Sequence, residues 1–414
     1  MTAPKRNVFV TGNKRGQTKA NPYKESSFTL SSFHRLAIFV LTALLVLFLF
    51  IGNGGYGDMN LRSRSSAIGV TKNDLGEFVI PRLTPQVLTI GSYKVFYMLP
   101  YNTKKSGIKG ILVHFHACGH RGADLFILPE DRIIVHEALE RGLAVVSMNS
   151  LNESTGCWQT IDGNDITKPK FDDAKTLAKE NTIYEWKKLV GMERNNDIPI
   201  MVMGASNFVF YAWKAMKVHA VASYVMGFGG RMGGFFEKDA DRKHDEPEYE
   251  LPNAVIFIYL AESDAGSDLG FYTDWLRYWV GITSKLIDVK PHTFTAQTCD
   301  RTIPELGYIK CNQLIQFIDK NYPHLFEKKD GSSYTPAFKH EDWKHALLQS
   351  GLLVPDNNNF GKNIPTLSFE GHSWIYESVV EELNTVVGMN EMISAGKEEV
   401  LDFLMCHSEI GPCS

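Results

Sequence analysis

The chain has 414 residues, of which 44% are hydrophobic and 22% charged, and this near-average composition excludes a collagen-like, coiled-coil or wholly disordered protein. The formal net charge of -4 gives no reason to expect nucleic acid as a partner. The charge is uneven, because residues 1–35 carry seven Lys and Arg and one acid, Glu25, a net of +6 that leaves -10 for the remainder. All six cysteines lie in that acidic remainder.

An apolar segment follows the basic one. Residues 36–51 contain no charge and one polar side chain, Thr42, and Gly52 extends the segment. Crossing a bilayer takes about 20 helical residues, with about 17 as the lower limit, so we predict a single transmembrane anchor over 36–52. Two alternatives stay open, a buried core helix and a cleaved signal peptide. A signal region usually begins nearer the N-terminus and ends in a small-x-small pattern, which residues 53–56 lack.

The basic residues before the anchor predict its orientation. Lys and Arg accumulate on the cytosolic side of a membrane, so residues 1–35 should form a cytosolic tail. The part after the anchor would then lie in the lumen of the endoplasmic reticulum or Golgi, or outside the cell. Six cysteines in that compartment could form up to three disulfides, and Asn152-Glu153-Ser154 offers a glycosylation site at Asn152. Residues 53–84 read as a polar stem or linker.

Strand and helix patterns alternate from residue 85 onward. In chain order we predict one or two antiparallel strands at 87–99, a strand at 110–116, a helix at 129–141, a strand at 143–148, a helix at 172–189, a strand at 198–203, a helix at 207–217, strands at 220–226 and 254–260, a helix at 268–280, a strand at 293–297 and a helix at 391–404. This alternation predicts an α/β fold with a mostly parallel sheet and helices on both faces. We assign the core to 85–301, an insertion or cap to 302–389, and the terminal helix and tail to 390–414.

The strongest local motif follows the strand predicted at 198–203. Gly204-Ala205-Ser206 passes directly from a buried strand into a predicted helix, the context of a nucleophile elbow, in which a sharp turn lifts the serine hydroxyl above the sheet. The usual small residue two positions after the serine is replaced by Phe208. The alternative is an ordinary turn in which Ser206 caps the helix.

The other members of a catalytic triad can be sought downstream, because in this fold the acid and then the histidine follow the serine. Asp264 lies just beyond the strand predicted at 254–260, with Glu262 as its near alternative. We select His372 as the base, although its position also suits a surface histidine. The other downstream candidates are His292, His324, His340, His345 and His407.

The loop after the strand at 110–116 suits an oxyanion hole. It consists of small residues, and the backbone N–H groups of Ala117 or Cys118 could act together with that of Asn207. The alternative is a tight turn in which Cys118 forms a structural disulfide, with Cys157 as a plausible partner.

Metal and nucleotide sites are not expected. His114, His116 and His120 resemble a metallo-β-lactamase pattern, but Cys118 replaces its Asp and the third His comes one residue late. His340 and His345 are five apart, not the four that share a helix face. The glycines of residues 227–233 lack the spacing of a dinucleotide fingerprint. No metal and no cofactor are therefore predicted.

Much of residues 110–404 resembles a plant-type family of α/β-hydrolase-like proteins. The likeness is carried by FHACGHRGAD, by LPEDR, ALERGLAVVSMNS and GCW, by VMGASN and IFIYLAESD, by WKHALLQSGLL and by VEELNTVVGMNEMISAGKEEVLDFL. The resemblance implies an α/β-hydrolase fold with a nucleophile at Ser206 and an acid at Asp264. Family members typically continue the elbow with Ser-Gly-Gly and carry a His before the last helix. This chain has Asn207, Phe208 and Val209 at the elbow, and Asn390 at the His position.

Two functional hypotheses follow. In the first, a lumenal domain hydrolyses an ester or amide, with Ser206, Asp264 and His372 as the triad. In the second, the same fold binds a small molecule or partner without turnover, because Asn390 cannot accept and return a proton. The sequence identifies neither the substrate nor the oligomeric state.

Overall fold

The computed structural model describes residues 71–72, 78–80, 82–101, 107–159, 172–192, 197–205, 209, 212, 215–224, 251–260, 273–274, 276–277, 281–289, 294–323, 326–329, 333–336, 346–347, 349–352, 354–356, 366–368, 373–387 and 392–413. The chain divides into two units, Met1–Arg64 and Ser65–Ser414, and all of the described residues belong to the second. The segment predicted as a membrane anchor, 36–52, lies outside them. Within the described ranges, no helix combines the length and the apolar character needed to cross a bilayer.

The centre of the domain is an eight-stranded sheet. A separate short pair, β1 and β2 (Thr71–Lys72 and Phe78–Val79), precedes it in the chain. The eight strands are β3 (Gln86–Ile90), β4 (Tyr93–Met98), β5 (Gly110–His114), β6 (Leu143–Met148), β7 (Ile200–Gly204), β8 (Ala220–Tyr224), β9 (Ala254–Leu260) and β10 (Thr283–Val289). The central strands β5 and β6 are buried at every residue, as expected for strands covered on both faces.

The strand order across the sheet is β10-β9-β8-β7-β5-β6-β4-β3. Strand β4 runs antiparallel to both of its neighbours, and every other pair in the sheet is parallel. The carboxyl ends of β5, β7, β8 and β9 therefore meet at one edge, where ligand and catalytic groups of α/β sheets gather.

Each face of the sheet has its own hydrophobic core. Successive strand residues point to opposite faces, so Ile111 and Val113 of β5 join one core while Leu112 joins the other. On the first face lie α2 (Asp173–Glu180) and α3 (Thr182–Leu189), which contributes the fully buried Trp186. On the second face lie α1 (Pro129–Glu140) and α7 (Lys397–Cys406). Burial on both faces is the main contribution to the stability of such a sheet.

A third hydrophobic cluster lies in the region after β10. It joins α4 (Ala296–Thr302), α5 (Tyr308–Asn321) and α6 (Ser373–Val387), and the Cys299–Cys311 disulfide connects the first two. Two strand pairs also fall here: β11 with β12 (Phe326–Lys329, Ser333–Pro336) and β13 with β14 (Val354–Asp356, Thr366–Ser368). Helix α4 spans the boundary we predicted between 301 and 302.

Most of the predicted elements that fall within the described residues coincide with observed ones, and three differ. The helices predicted at 207–217 and 268–280 lie largely outside the described residues. The helix predicted over 172–189 is broken at Asn181, which adopts a left-handed φ of 49° and separates α2 from α3. The strand predicted at 293–297 is wrong, because Thr295 instead caps α4 through a reciprocal bond with Thr298. The last strand of the eight-stranded sheet is β10, which was not predicted. The terminal helix begins at Lys397, after Gly396 with φ 80°, and not at 391.

Candidate active site

The predicted elbow begins where β7 ends. Gly204 is the last residue of β7, and Ala205 follows as a buried bend at the carboxyl edge of the sheet. The N–H of Phe115, just after β5, donates to the carbonyl of Met203 over 2.9 Å, so the two segments remain close together at this edge. Ser206 is the next residue in the chain and lies outside the described residues.

A disulfide and backbone hydrogen bonds fix the loop predicted as an oxyanion hole. Cys118 is joined to Cys157 by a disulfide, which confirms the pairing suggested from the sequence. The N–H of Gly119 donates to Thr155 O over 3.0 Å, and the N–H of Gly122 donates to Asn149 Oδ1 over 2.9 Å. Within the described part of the chain, neither Ala117 nor Cys118 donates its own N–H to another group. Their role as donors to an anionic oxygen stays a prediction.

Two of the three histidines at the end of β5 and in the following loop have structural roles. The N–H of Ser150 donates to His116 Nε2 over 3.3 Å, so the ring proton must be on Nδ1, which donates to Ala117 O over 2.9 Å. Burial lowers the pKa of His116 to about 4. His114 shares a 3.0 Å hydrogen bond between Nδ1 and Ser147 Oγ, and burial holds its pKa well below the usual range. Both rings are therefore neutral near pH 7.

The third histidine has a carboxylate partner. His120 Nδ1 lies 3.6 Å from Asp124 Oδ2, and His120 is partly exposed. Asp124 begins a short 3₁₀ helix, Asp124–Phe126, and its Oδ2 accepts the N–H of Arg121 over 2.7 Å. In the sequence, His120 suggested only a metal ligand, and its pairing with Asp124 was not predicted.

A small cavity connects these segments at the carboxyl edge of the sheet. Its walls include Ala117, His120, Asp124, Asp131, Ala205 and Met392. Ala205 directly precedes Ser206, and Met392 follows Asn390 by two residues. The structure thus brings together the loop predicted as an oxyanion hole, the end of β7 and the segment that leads into the last helix.

Five predicted site residues lie outside the described residues: Ser206, Asn207, Asp264, His372 and Asn390. Their roles stay predictions, as does that of Glu262, the alternative acid. Asn152 lies in a turn, where its Oδ1 accepts the hydroxyl of Ser154 over 2.7 Å. Among the residues that the structure describes, no group of three or more His, Cys, Asp or Glu side chains is arranged to hold a metal ion. His340 and His345 are not in that part of the chain.

The observed sheet is consistent with the α/β-hydrolase fold: it is mostly parallel, has eight strands, and carries helices on both faces. No family model matches the chain, and no curated protein sequence matches it. Solved structures of esterase 2 from Thermogutta terrifontis match at 13% identity over 57% of this chain and 92% of that one, with a TM-score of 0.34. An α/β serine hydrolase without a lid from Xanthomonas campestris matches at 11% identity over 59% and 97%, with a TM-score of 0.30. The fold class follows from the strand order and direction of the sheet.

Proposed function

We propose that the chain is a serine hydrolase of esters or amides with Ser206 as the nucleophile. The observation that carries the proposal is the cavity, where Ala205 and the oxyanion loop meet at the edge of the sheet that gathers catalytic groups. Ala117 and Cys118 would direct N–H groups at the oxyanion that forms when the serine attacks a carbonyl. Asp264 and His372 remain our sequence-based candidates for the acid and the base.

The reaction would proceed through an acyl-enzyme. The Ser206 hydroxyl would lose its proton to a base and attack the carbonyl carbon, and the tetrahedral intermediate would expel the alcohol or amine as it receives that proton. Water would then release the acid by the same steps. Electrostatic stabilisation by one N–H donor in such a hole contributes about 10² to 10³ in rate.

Labelling with a fluorophosphonate probe tests this proposal. We expect wild type to be labelled and Ser206→Ala to lose the label, whereas Ser92→Ala, which removes an exposed hydroxyl bonded to Glu180, keeps it. Equal labelling of wild type and Ser206→Ala would refute the assignment of the nucleophile.

A second candidate function is binding without turnover. It is favoured by Asn390, since an amide side chain cannot exchange a proton as imidazole does. In that case wild type carries no Ser206-dependent label, and Asn390→His gains it. Ser206-dependent labelling of wild type would exclude this candidate.

We further propose that this domain is lumenal or extracellular, attached by the anchor at 36–52 with residues 1–35 in the cytosol. The anchor and the basic tail support this orientation. The full chain, expressed in cells with a secretory pathway, should stay with membranes after carbonate extraction. Its mobility should shift with glycosidase, and Asn152→Gln should abolish the shift. Recovery of the unglycosylated chain in the soluble fraction would contradict the proposal.

A further inference from the structure

We propose that the start of α3 forms a binding site for a small carboxylate with a short apolar chain, and that Lys187 and Thr182 are its polar contacts. The site adjoins Ile200, the first residue of β7, whereas the candidate active site adjoins Ala205, just after β7 ends. It is therefore a second site at the opposite end of this strand. The inference does not depend on the proposed hydrolase activity.

A cavity of about 140 Å³ lies at the start of α3. Its wall combines residues 181–184 with Leu177 of α2, Ile200 of β7 and residues 215–217, which precede β8. Leu177 belongs to the hydrophobic core on this face of the sheet, and Ile200 packs against that core. A cavity of about 150 Å³ is large enough to bind benzene, so this one suits a ligand of about six or seven non-hydrogen atoms.

The first turn of α3 favours an anion in this cavity. Backbone N–H groups at the start of an α-helix lack intrahelical acceptors, and the helix dipole places partial positive charge there. The side chain of the N-cap residue, Asn181, makes no capping hydrogen bond. Glu185, the acidic residue of this turn, does not line the cavity. The helix start therefore contributes donors and a favourable potential, to which two buried side chains add.

Lys187 is the first of these side chains. It lines the cavity and is only 6% exposed. Long side chains in a helix point back toward its N-terminus, which for Lys187 is the turn that forms the cavity wall. Burial lowers the pKa of Lys187 and Asp197 opposes this shift, yet no carboxylate in the described part of the chain forms an ion pair with Nζ. Because a lysine is rarely buried without a partner, a bound carboxylate would compensate its charge.

Thr182 is the second buried side chain. It is the first residue of α3, lines the same cavity and is 1% exposed. Its Oγ1 has no hydrogen-bond partner within the described ranges. Buried hydroxyl groups are nearly always hydrogen-bonded, and an exception points to a bound water or ligand. We expect the Thr182 hydroxyl to donate to the carboxylate.

The composition of the wall selects the class of ligand. Of its two lysines, Lys187 is buried and Lys217 is exposed. One buried cation matches a monocarboxylate better than a dianion such as phosphate, because the second charge would be desolvated without a buried partner. Leu177, Ile200 and Met216 offer apolar surface to a short hydrocarbon chain.

Calorimetric titration of the full-length protein with pentanoate tests the proposal. We expect saturable binding at one site per chain. Pentanamide lacks the charge and acetate lacks the chain, so each should bind at least about tenfold more weakly. Absence of saturable pentanoate binding would overturn the site, and inorganic phosphate binding as tightly as pentanoate would overturn the class of ligand.

Two neighbouring lysines provide matched variants. Lys187→Met keeps an unbranched side chain without the charge and should weaken pentanoate binding about tenfold or more. Lys188 is exposed and does not line the cavity, so Lys188→Met should stay within about twofold of wild type. Thr182→Val, which removes only the hydroxyl, should weaken binding about two- to tenfold. Unfolding midpoints of all variants are measured alongside. Unchanged affinity in a folded Lys187→Met would overturn the proposal.

Reductive methylation of wild type, followed by mass spectrometry, locates the ligand without any substitution. Bound pentanoate should slow the modification of Lys187 at least about threefold at saturation, since an ion-paired and enclosed amine reacts less readily. Lys188 should react at the same rate with and without pentanoate. Equal effects on Lys187 and Lys188, or none on Lys187, would place the carboxylate elsewhere and overturn the proposal even if Lys187→Met did not fold.

Discussion

The carbonyl oxygen of Phe115 lies against the Cα of Gly204, in the space that a Cβ of residue 204 would occupy. Phe115 follows β5 directly, and Gly204 ends the adjacent parallel strand β7. The glycine therefore permits the close approach of two backbones at the edge where the cavity lies.

Substitution Gly204→Ala should force these two segments apart. Overpacking in a well-packed core costs about 1 to 3 kcal/mol, and backbone atoms cannot rotate away as a side chain can. We expect Gly204→Ala to lower the free energy of unfolding by about 2 to 3 kcal/mol, measured by urea denaturation. Gly107→Ala is the control: no atom lies within 4 Å of the new Cβ, and its positive φ alone costs about 1 to 2 kcal/mol. A smaller loss in Gly204→Ala than in Gly107→Ala would contradict the steric account.

Removal of the Cys118–Cys157 disulfide should destabilise the fold more than removal of the disulfide near the C-terminus. The sequence separation is 39 residues for Cys118–Cys157 and 7 for Cys406–Cys413. In the chain-entropy model these closures contribute about 4 and about 2 kcal/mol. The two double Cys→Ala variants, compared by chemical denaturation, should preserve this order. A larger loss of stability on removing Cys406–Cys413 would contradict the chain-entropy account and point to enthalpic effects.

Acid should destabilise the protein through His114 and His116. In the unfolded chain a histidine pKa is about 6.5, whereas burial lowers that of His116 to about 4. Between these values the unfolded state binds the proton and the folded state does not, so stability falls as pH decreases from about 6.5 to about 4. The loss from His116 alone is on the order of 3 kcal/mol at the acid end.

Denaturation curves collected from pH 7.5 to pH 4.5 check this expectation. The His116→Gln variant has no titrating side chain at position 116. Its free energy of unfolding should therefore depend less steeply on pH across that interval. Identical slopes for wild type and His116→Gln would exclude His116 as a source of acid sensitivity.

The buried Arg132 should be needed to attach the region after β10 to the core. Its side chain is 1% exposed; it donates to Thr302 O, and Nη1 lies 3.5 Å from Glu305 Oε1. Glu381 and Glu382 of α6 are also buried and interact with its charge. Arg132→Met removes the cation and leaves these carboxylates without it. Removing one partner of a buried ion pair lowers the free energy of unfolding by about 3 to 5 kcal/mol.

Arg141, on the same side of the domain, provides the matched control. It forms ion pairs with Glu137 and Asp402 at the surface, where such pairs contribute less than about 1 kcal/mol. Thermal unfolding should therefore distinguish Arg132→Met from Arg141→Met. Glu381→Gln should recover part of the loss in the Arg132→Met background, and a failure to do so would argue against charge as the cause.

Local sequence patterns predicted those elements that are buried on both faces. The runs at 143–148 and 254–260 coincide with β6 and β9 at both ends, because a continuous apolar run admits few alternatives. Strand β10 escaped prediction because it lies at the edge of the sheet, and Thr283–Val289 has neither the continuous apolar run nor the strict alternation that indicates a strand. The break at Asn181 was missed because one left-handed residue hardly changes the helical periodicity on either side.

Sequence alone determined the α/β class, the small-residue loop after β5, and the position of Gly204 and Ala205 at the end of a buried strand. It offered Cys157 only as a plausible partner of Cys118, and the structure decided that pairing. These follow from periodicity and from the chemistry of neighbouring residues. Tertiary structure decided which histidines are neutral and enclosed, and which one faces a carboxylate in the cavity. His114, His116 and His120 look equivalent in the chain, and they differ only in burial and hydrogen-bond partners, which the packing of the loops after β5 and β6 imposes.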